Sequence, residues 1–125
     1  MKQLKVYLFV CSMFLLVPVC TAPAMAQDMD THDGVITILS PKNGAVLHSG
    51  SNIKLSYNVH LSPSGNHLHI YVDDHDPIID RDVSNCPCSM TLPHLSPGKH
   101  RVAVKEAMVN HVLTGVQAMV MFTVK

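Results

Sequence analysis

Gly65-Asn66-His67-Leu68-His69-Ile70-Tyr71-Val72-Asp73 alternates with a period of two, and that alternation decides the fold. Leu68, Ile70 and Val72 fall on one side and His67, His69, Tyr71 and Asp73 on the other, the pattern of a half-buried β-strand. Two imidazoles at i and i+2 on one face of a strand stand with their Cα atoms roughly 6.5–7 Å apart. Both side chains can then bend onto one metal ion or one small polar ligand. The competing reading makes them ordinary polar residues of a solvated face.

Working outward, the flanking segments repeat the same grammar. Before this strand, Ile53, Leu55, Tyr57 and Val59 alternate with polar residues, and Ser62-Pro63-Ser64-Gly65 forms the connecting loop. Earlier still, Val35–Leu39 reads as a strand that ends at Ser40-Pro41-Lys42-Asn43-Gly44. Ala45-Val46-Leu47 is a short edge piece, and Gly accepts the positive φ that such turns require. After it, Asp74-His75-Asp76-Pro77 breaks the strand and Ile78-Ile79 is a short apolar piece. Residues 80–89 form an irregular polar loop, and Met90, Leu92 and Leu95 mark a further strand. A strand with Val102 and Val104 inward follows the Ser96-Pro97-Gly98 turn, then a loop over residues 106–114, then a last strand at 116–124. About seven short strands with turn chemistry between them and no helical period predict an all-β, immunoglobulin-like antiparallel sandwich over residues 33–125.

The start of the chain reads differently. A basic opening (Lys2, Lys5), an apolar run from Val6 to Val19 and an Ala-x-Ala site before Gln27 predict a signal peptide at 1–26. The residues ahead of Cys20 lack the small side chain a lipidated cysteine needs, which favours free release to the periplasm or the exterior. Residues 27–32 read as a polar, flexible leader. Cleavage leaves 99 of the 125 residues, one domain's worth, and no second apolar span that would cross a membrane. Two of nine basic residues leave while all nine acids stay, so the mature balance is −2 and nothing attracts nucleic acid. All nine histidines remain, about one residue in eleven.

Four of those histidines stand where strands meet loops: His67, His69, His100 and His111. In a sandwich the strands carrying His67 and His100 are commonly sheet neighbours, so the four can converge. Imidazole clusters suit Cu(II) or Zn(II), and copper is the leading expectation with zinc second. His100 shares parity with Val102 and Val104, which leaves open an interior, hydrogen-bonded role. Asp73 is a candidate for orienting a histidine from behind. Cys86, Cys88 and Met90 form a second, softer set that would favour Cu(I) or redox chemistry, although two cysteines in an oxidising compartment tend to join. Met119 and Met121 are outward residues of the last strand that could add soft donors. The aspartates at 73, 74, 76, 80 and 82 match no calcium loop. No nucleophile elbow and no phosphate-cradling Gly loop is present, so a non-enzymatic role is expected.

Two resemblances add to this. Ser40-Pro41-Lys42-Asn43-Gly44-Ala45-Val46-Leu47, with Gly50 and the strand Ile53–Val59, resembles the opening of CopC-type periplasmic copper-resistance proteins. That family implies a small copper-binding sandwich without catalysis. Its mature chains begin with a ligand histidine, where this one begins Gln27-Asp28-Met29 and offers His32 nearest. The Gly65–Asp73 strand, Leu95-Ser96-Pro97-Gly98-Lys99-His100 and Asn110-His111 are together similar to an uncharacterised family of short secreted immunoglobulin-like domains. It carries a Gly-x-His-x-His strand, a Leu-x-Pro-Gly-x-His turn and a later histidine in that order, and implies the fold without an activity. The sequence thus predicts a periplasmic or secreted metal-binding module that sequesters or delivers copper, whose partners are the ion and another envelope protein. The alternative is a structural or interaction domain that contacts a partner protein or envelope glycan.

Overall fold

The structure, a computed structural model, describes residues 34–125; the expected signal peptide and leader (1–26 and 27–32) lie outside the described residues. Eight strands follow in order: β1 (Val35–Ser40), β2 (Val46–Leu47), β3 (Lys54–His60), β4 (His67–Val72), β5 (Ile78–Asp80), β6 (Cys88–Thr91), β7 (Gly98–Ala107) and β8 (Leu113–Val124). One sheet has the order β1-β3-β6 and the other β2-β8-β7-β4-β5. All pairings are antiparallel except the two-residue β2 against β8. No helix occurs among the described residues. This is an all-β, immunoglobulin-like sandwich.

The core is what the alternation requires. Leu55 and Tyr57 of β3 face Leu68 and Ile70 of β4, Val102 and Val104 of β7, and Val120, Phe122 and Val124 of β8, all buried. Each such aliphatic side chain taken out of water contributes about 1.5–3 kcal/mol. The buried Tyr57 hydroxyl donates to Asp80 across the gap between the sheets, and burial, then the Asp80 contact, raise its pKa far above the phenol range. Three expectations need correction. β4 is not half-buried: His67 and His69 are 0% and 6% exposed, because β5, β7 and the 108–112 turn close over them. The β7–β8 hairpin is tighter than a loop over 106–114, since β7 runs on to Ala107 and β8 begins at Leu113. The third strand of the small sheet starts earlier than Met90, with Cys88 opposite Tyr57.

Glu106 explains the tight hairpin. An acid at the end of a strand reads as loop, yet this one is fully buried. Its carboxylate accepts from the Ser62 backbone N–H at 2.8 Å, the Ser62 hydroxyl at 2.5 Å and the Thr114 hydroxyl at 2.7 Å. These charge-assisted bonds tie the loop ahead of β4 to the start of β8. Gly65 leaves the necessary room, because a Cβ there would overlap the Glu106 carboxyl group.

A second clasp closes the opposite end of β4. Asp73 sits in the left-handed region at φ 53° and donates its N–H to Arg101 O. Its carboxylate takes the Arg101 N–H and the His100 Nδ1–H, both at 2.9 Å, while His100 Nε2–H donates to Ser96 O at 2.7 Å. With acceptors at both ring nitrogens, the charged form of His100 is favoured: the Asp73 bond and then the Ser96 carbonyl raise its pKa, against burial. For Asp73, burial pushes upward, but the His100 bond and the Arg101 N–H bring the pKa below the usual range.

Two outcomes follow. Gly65→Ala, forced against a carboxylate that three donors hold still, lowers stability by about 1–3 kcal/mol in urea denaturation; an unchanged midpoint would show that Glu106 yields freely. For the second clasp, a raised histidine pKa contributes stability that is full below about 6.5 and lost as pH rises through the folded value. A lowered aspartate pKa contributes stability above about 3.9 that is lost as pH falls through its folded value. The thermal-midpoint gap between wild type and His100→Gln is therefore widest between about pH 4 and 6.5 and narrows on either side.

Candidate metal centre

The antiparallel register delivers three imidazoles to one spot on the outer face of the large sheet. His67 lies opposite Ala107 and His69 opposite Lys105, so both lean toward the hairpin end of β7. The turn after Ala107 brings in the third. Met108 N–H bonds to Val112 O at 2.8 Å and His111 N–H to Met108 O at 2.9 Å. His111 adopts φ 67°, a left-handed conformation found several-fold more often for histidine than for most non-glycine residues.

The nitrogens form a nearly equilateral triangle. His67 Nε2 is 3.1 Å from His69 Nε2 and 3.2 Å from His111 Nδ1, and His69 Nε2 is 3.1 Å from His111 Nδ1. Each nitrogen presents either an N–H or a lone pair to the other two. Donor and acceptor cannot alternate around three corners, so at least one edge sets like against like. A cation that accepts all three lone pairs removes the mismatch. Among the described residues this trio is the group of histidines, cysteines and acids that could hold a metal ion.

The far side of each ring sets the tautomer. His67 Nδ1–H donates to Asn66 Oδ1 at 3.0 Å, and His69 Nδ1 lies 3.4 Å from the Tyr71 hydroxyl. The Asn66 oxygen leaves the His67 Nε2 lone pair aimed at the triangle, as an oxygen acceptor behind a ligating histidine does, while the Tyr71 hydroxyl can accept from His69 Nδ1 or donate to it. His111 is different: Arg81 Nη2 stands 3.4 Å from its Nε2. A guanidinium only donates, so that contact asks Nε2 to accept and Nδ1 to carry the hydrogen. Burial first, then the Arg81 charge and the neighbouring imidazoles, lower the pKa of His67; burial, then His111, then Arg81, lower that of His69. Both rings are neutral at pH 7.

The other candidates lie elsewhere. His100 is five β7 positions from Lys105, roughly 17 Å along the strand, and takes the interior role with Asp73. Asp73 therefore orients His100 and none of the three clustered imidazoles. Cys86 and Cys88 are joined by a disulfide, and Cys88 and Met90 pack against the core from β6. Met119 and Met121 are exposed on the outer face of β8, opposite Ala103 and Arg101. Arg81 is the residue that reading the sequence missed, a lone cation in an irregular loop with no periodicity to mark it.

No protein-family model and no curated protein sequence matches the chain. Among solved structures it is similar to fibronectin(III)-like modules of Clostridium thermocellum CbhA, at 16% identity and a TM-score of 0.56, covering 73% of this chain and 96% of that one. It is also similar to part of an extracellular domain from B. thetaiotaomicron, at 14% identity and a TM-score of 0.49, where the match covers 67% of this chain and 12% of that one. At 16% identity the first of these likenesses speaks for the sandwich fold alone.

Proposed function

We propose that this chain is a secreted or periplasmic metal-binding module that holds a nitrogen-preferring ion through His67, His69 and His111. The observation that carries this reading is the triangle of imidazole nitrogens with edges of 3.1–3.2 Å. With bonds of about 2.0–2.1 Å such a triangle subtends roughly 100° at an ion, a facial cap with one side open. Square-planar coordination would instead stretch one edge well beyond the other two. The equal edges thus favour Zn(II), or Cu(II) in a pyramidal site, over planar Cu(II). Release outside the cytoplasm rests on the signal-like start of the sequence, and sequestration or delivery of the ion is the role such a site suits.

A second reading draws support from the exposed apolar residues Val109, Val112 and Leu113 at the hairpin beside His111. A non-catalytic interaction module, resembling the fibronectin(III)-like modules of C. thermocellum in fold, would use that tip against a partner protein or envelope glycan. Retained partner capture after loss of all three histidines would favour it.

Calorimetric titration of the purified protein with Zn(II) and Cu(II) tests the first reading. His67→Ala, His69→Ala and His111→Ala each weaken binding at least tenfold, on the scale of losing one ligand, whereas His100→Gln and Cys86→Ser leave it nearly unchanged. Affinity that survives His67→Ala/His69→Ala at neutral pH would sink the site. Acid should act late at two of the rings: because burial lowers the pKa values of His67 and His69, protons compete with the metal there only below the ordinary value of about 6.5. Binding measured across pH 8 to 4 is expected to fall with a midpoint below about 6.5; a fall centred above 6.5 would contradict neutral, buried ligands.

A further inference from the structure

Three imidazoles bring no negative charge to a divalent ion, and no carboxylate stands among the grouped ligands. The charged groups that act on His67 and His69 are Arg81 and the other imidazoles. The nearest acids in sequence are engaged elsewhere: Asp80 accepts from the Tyr57 hydroxyl and the Asp82 N–H, and Asp82 from the Ser84 hydroxyl at 3.4 Å. Glu106 lies opposite Leu68 in the register, on the other face of the sheet from the histidines, and is bound to Ser62 and Thr114. Lys105, opposite His69, holds its ammonium 5.1 Å above the Tyr71 ring. Arg81 takes part in neither of the ion pairs among the described residues. A metal in this site adds two positive charges to a neighbourhood that already holds an unpaired guanidinium.

We infer that the metal-loaded site takes a carboxylate-type anion as its fourth ligand, with Arg81 as the second anchor. This rests on the metal reading and extends it. Two features of the geometry point this way. The histidines cap one side of the ion, and of the three only His111 is exposed. Arg81 stands one imidazole ring away from the metal position. Ligation through His111 Nδ1 moves that ring's hydrogen to Nε2, which then faces the Arg81 N–H groups, donor against donor. Arg81 must turn away, and a planar fork of donors beside an open metal position matches a planar oxyanion in two-point fashion. Metal entry thus converts Arg81 from a partner of His111 into a partner of the ligand.

Co(II) gives a direct test, because its visible bands respond to a change of coordination. In anion-free buffer the bands report uptake by the histidines; acetate is then added, in parallel with an N-acetylated aliphatic tripeptide bearing a free C-terminus. Saturable band shifts are expected with both, tighter for the peptide if the Val109, Val112 and Leu113 tip contributes and equal if a small free acid is the ligand. Arg81→Gln should weaken acetate binding about tenfold or more while raising Co(II) affinity several-fold, since it removes a like charge and a competitor for His111. A merely structural Arg81 would lower both. Failure to bind Co(II) would overturn the metal reading together with this one. Co(II) bound normally with no response to acetate, or with the same response in Arg81→Gln, would overturn the anion site alone.

Discussion

A carboxylate placed inside a sandwich must have its oxygens met by donors, and Glu106 imposes that condition on the whole end of the domain where the histidines gather. Ser62 supplies two donors and Thr114 a third, so the loop entering β4 and the first residues of β8 are fixed relative to the end of β7. His67 follows that loop directly, and His111 stands in the turn between the two strands Glu106 fastens together. The positions of the imidazoles thus depend on hydrogen bonds made on the opposite face of the same sheet. Losing one donor leaves a buried charge short of a partner, which is costlier than losing the bond itself.

On the outer face the problem is reversed. Two buried imidazoles are kept neutral, and a third is brought to them by a turn in a conformation most side chains avoid. Their nitrogens cannot all satisfy one another, and the Asn66 amide oxygen behind His67 keeps that ring's lone pair turned inward. Polar groups left mismatched in a buried place are commonly found where a ligand is to be received. Arg81 offers partial relief by asking His111 to carry its hydrogen inward, where its N–H can face the His67 lone pair. One edge of the triangle stays unresolved.

Much of this was legible in the residues. Period-two alternation located β4, β7 and β8 and their inward faces, because burial on one side of a strand leaves no other pattern. That His67 and His69 share a face follows from their spacing, and their meeting with His111 follows from antiparallel pairing of neighbouring strands. Parity also warned that His100 would turn inward. What could not be read were contacts made by isolated loop or strand-end residues. Nothing local marks Glu106 as buried or Arg81 as a neighbour of His111, since both relations span long stretches of sequence. The same blindness made β4 look half-solvated: the cover over its polar face comes from a turn and a short edge strand whose placement no alternation encodes.

The large sheet ends on one side in the two-residue β2 and on the other in the three-residue β5. Few unpaired backbone groups are therefore presented at either margin, and a foreign strand finds little template to extend. The histidine-bearing strand is also internal, flanked by β5 and β7, so it is shielded from such pairing. A cluster of imidazoles on a sheet margin would invite metal-bridged stacking of chains into fibres. Set in from the edge, the same cluster sits on a strand whose backbone is already paired on both sides.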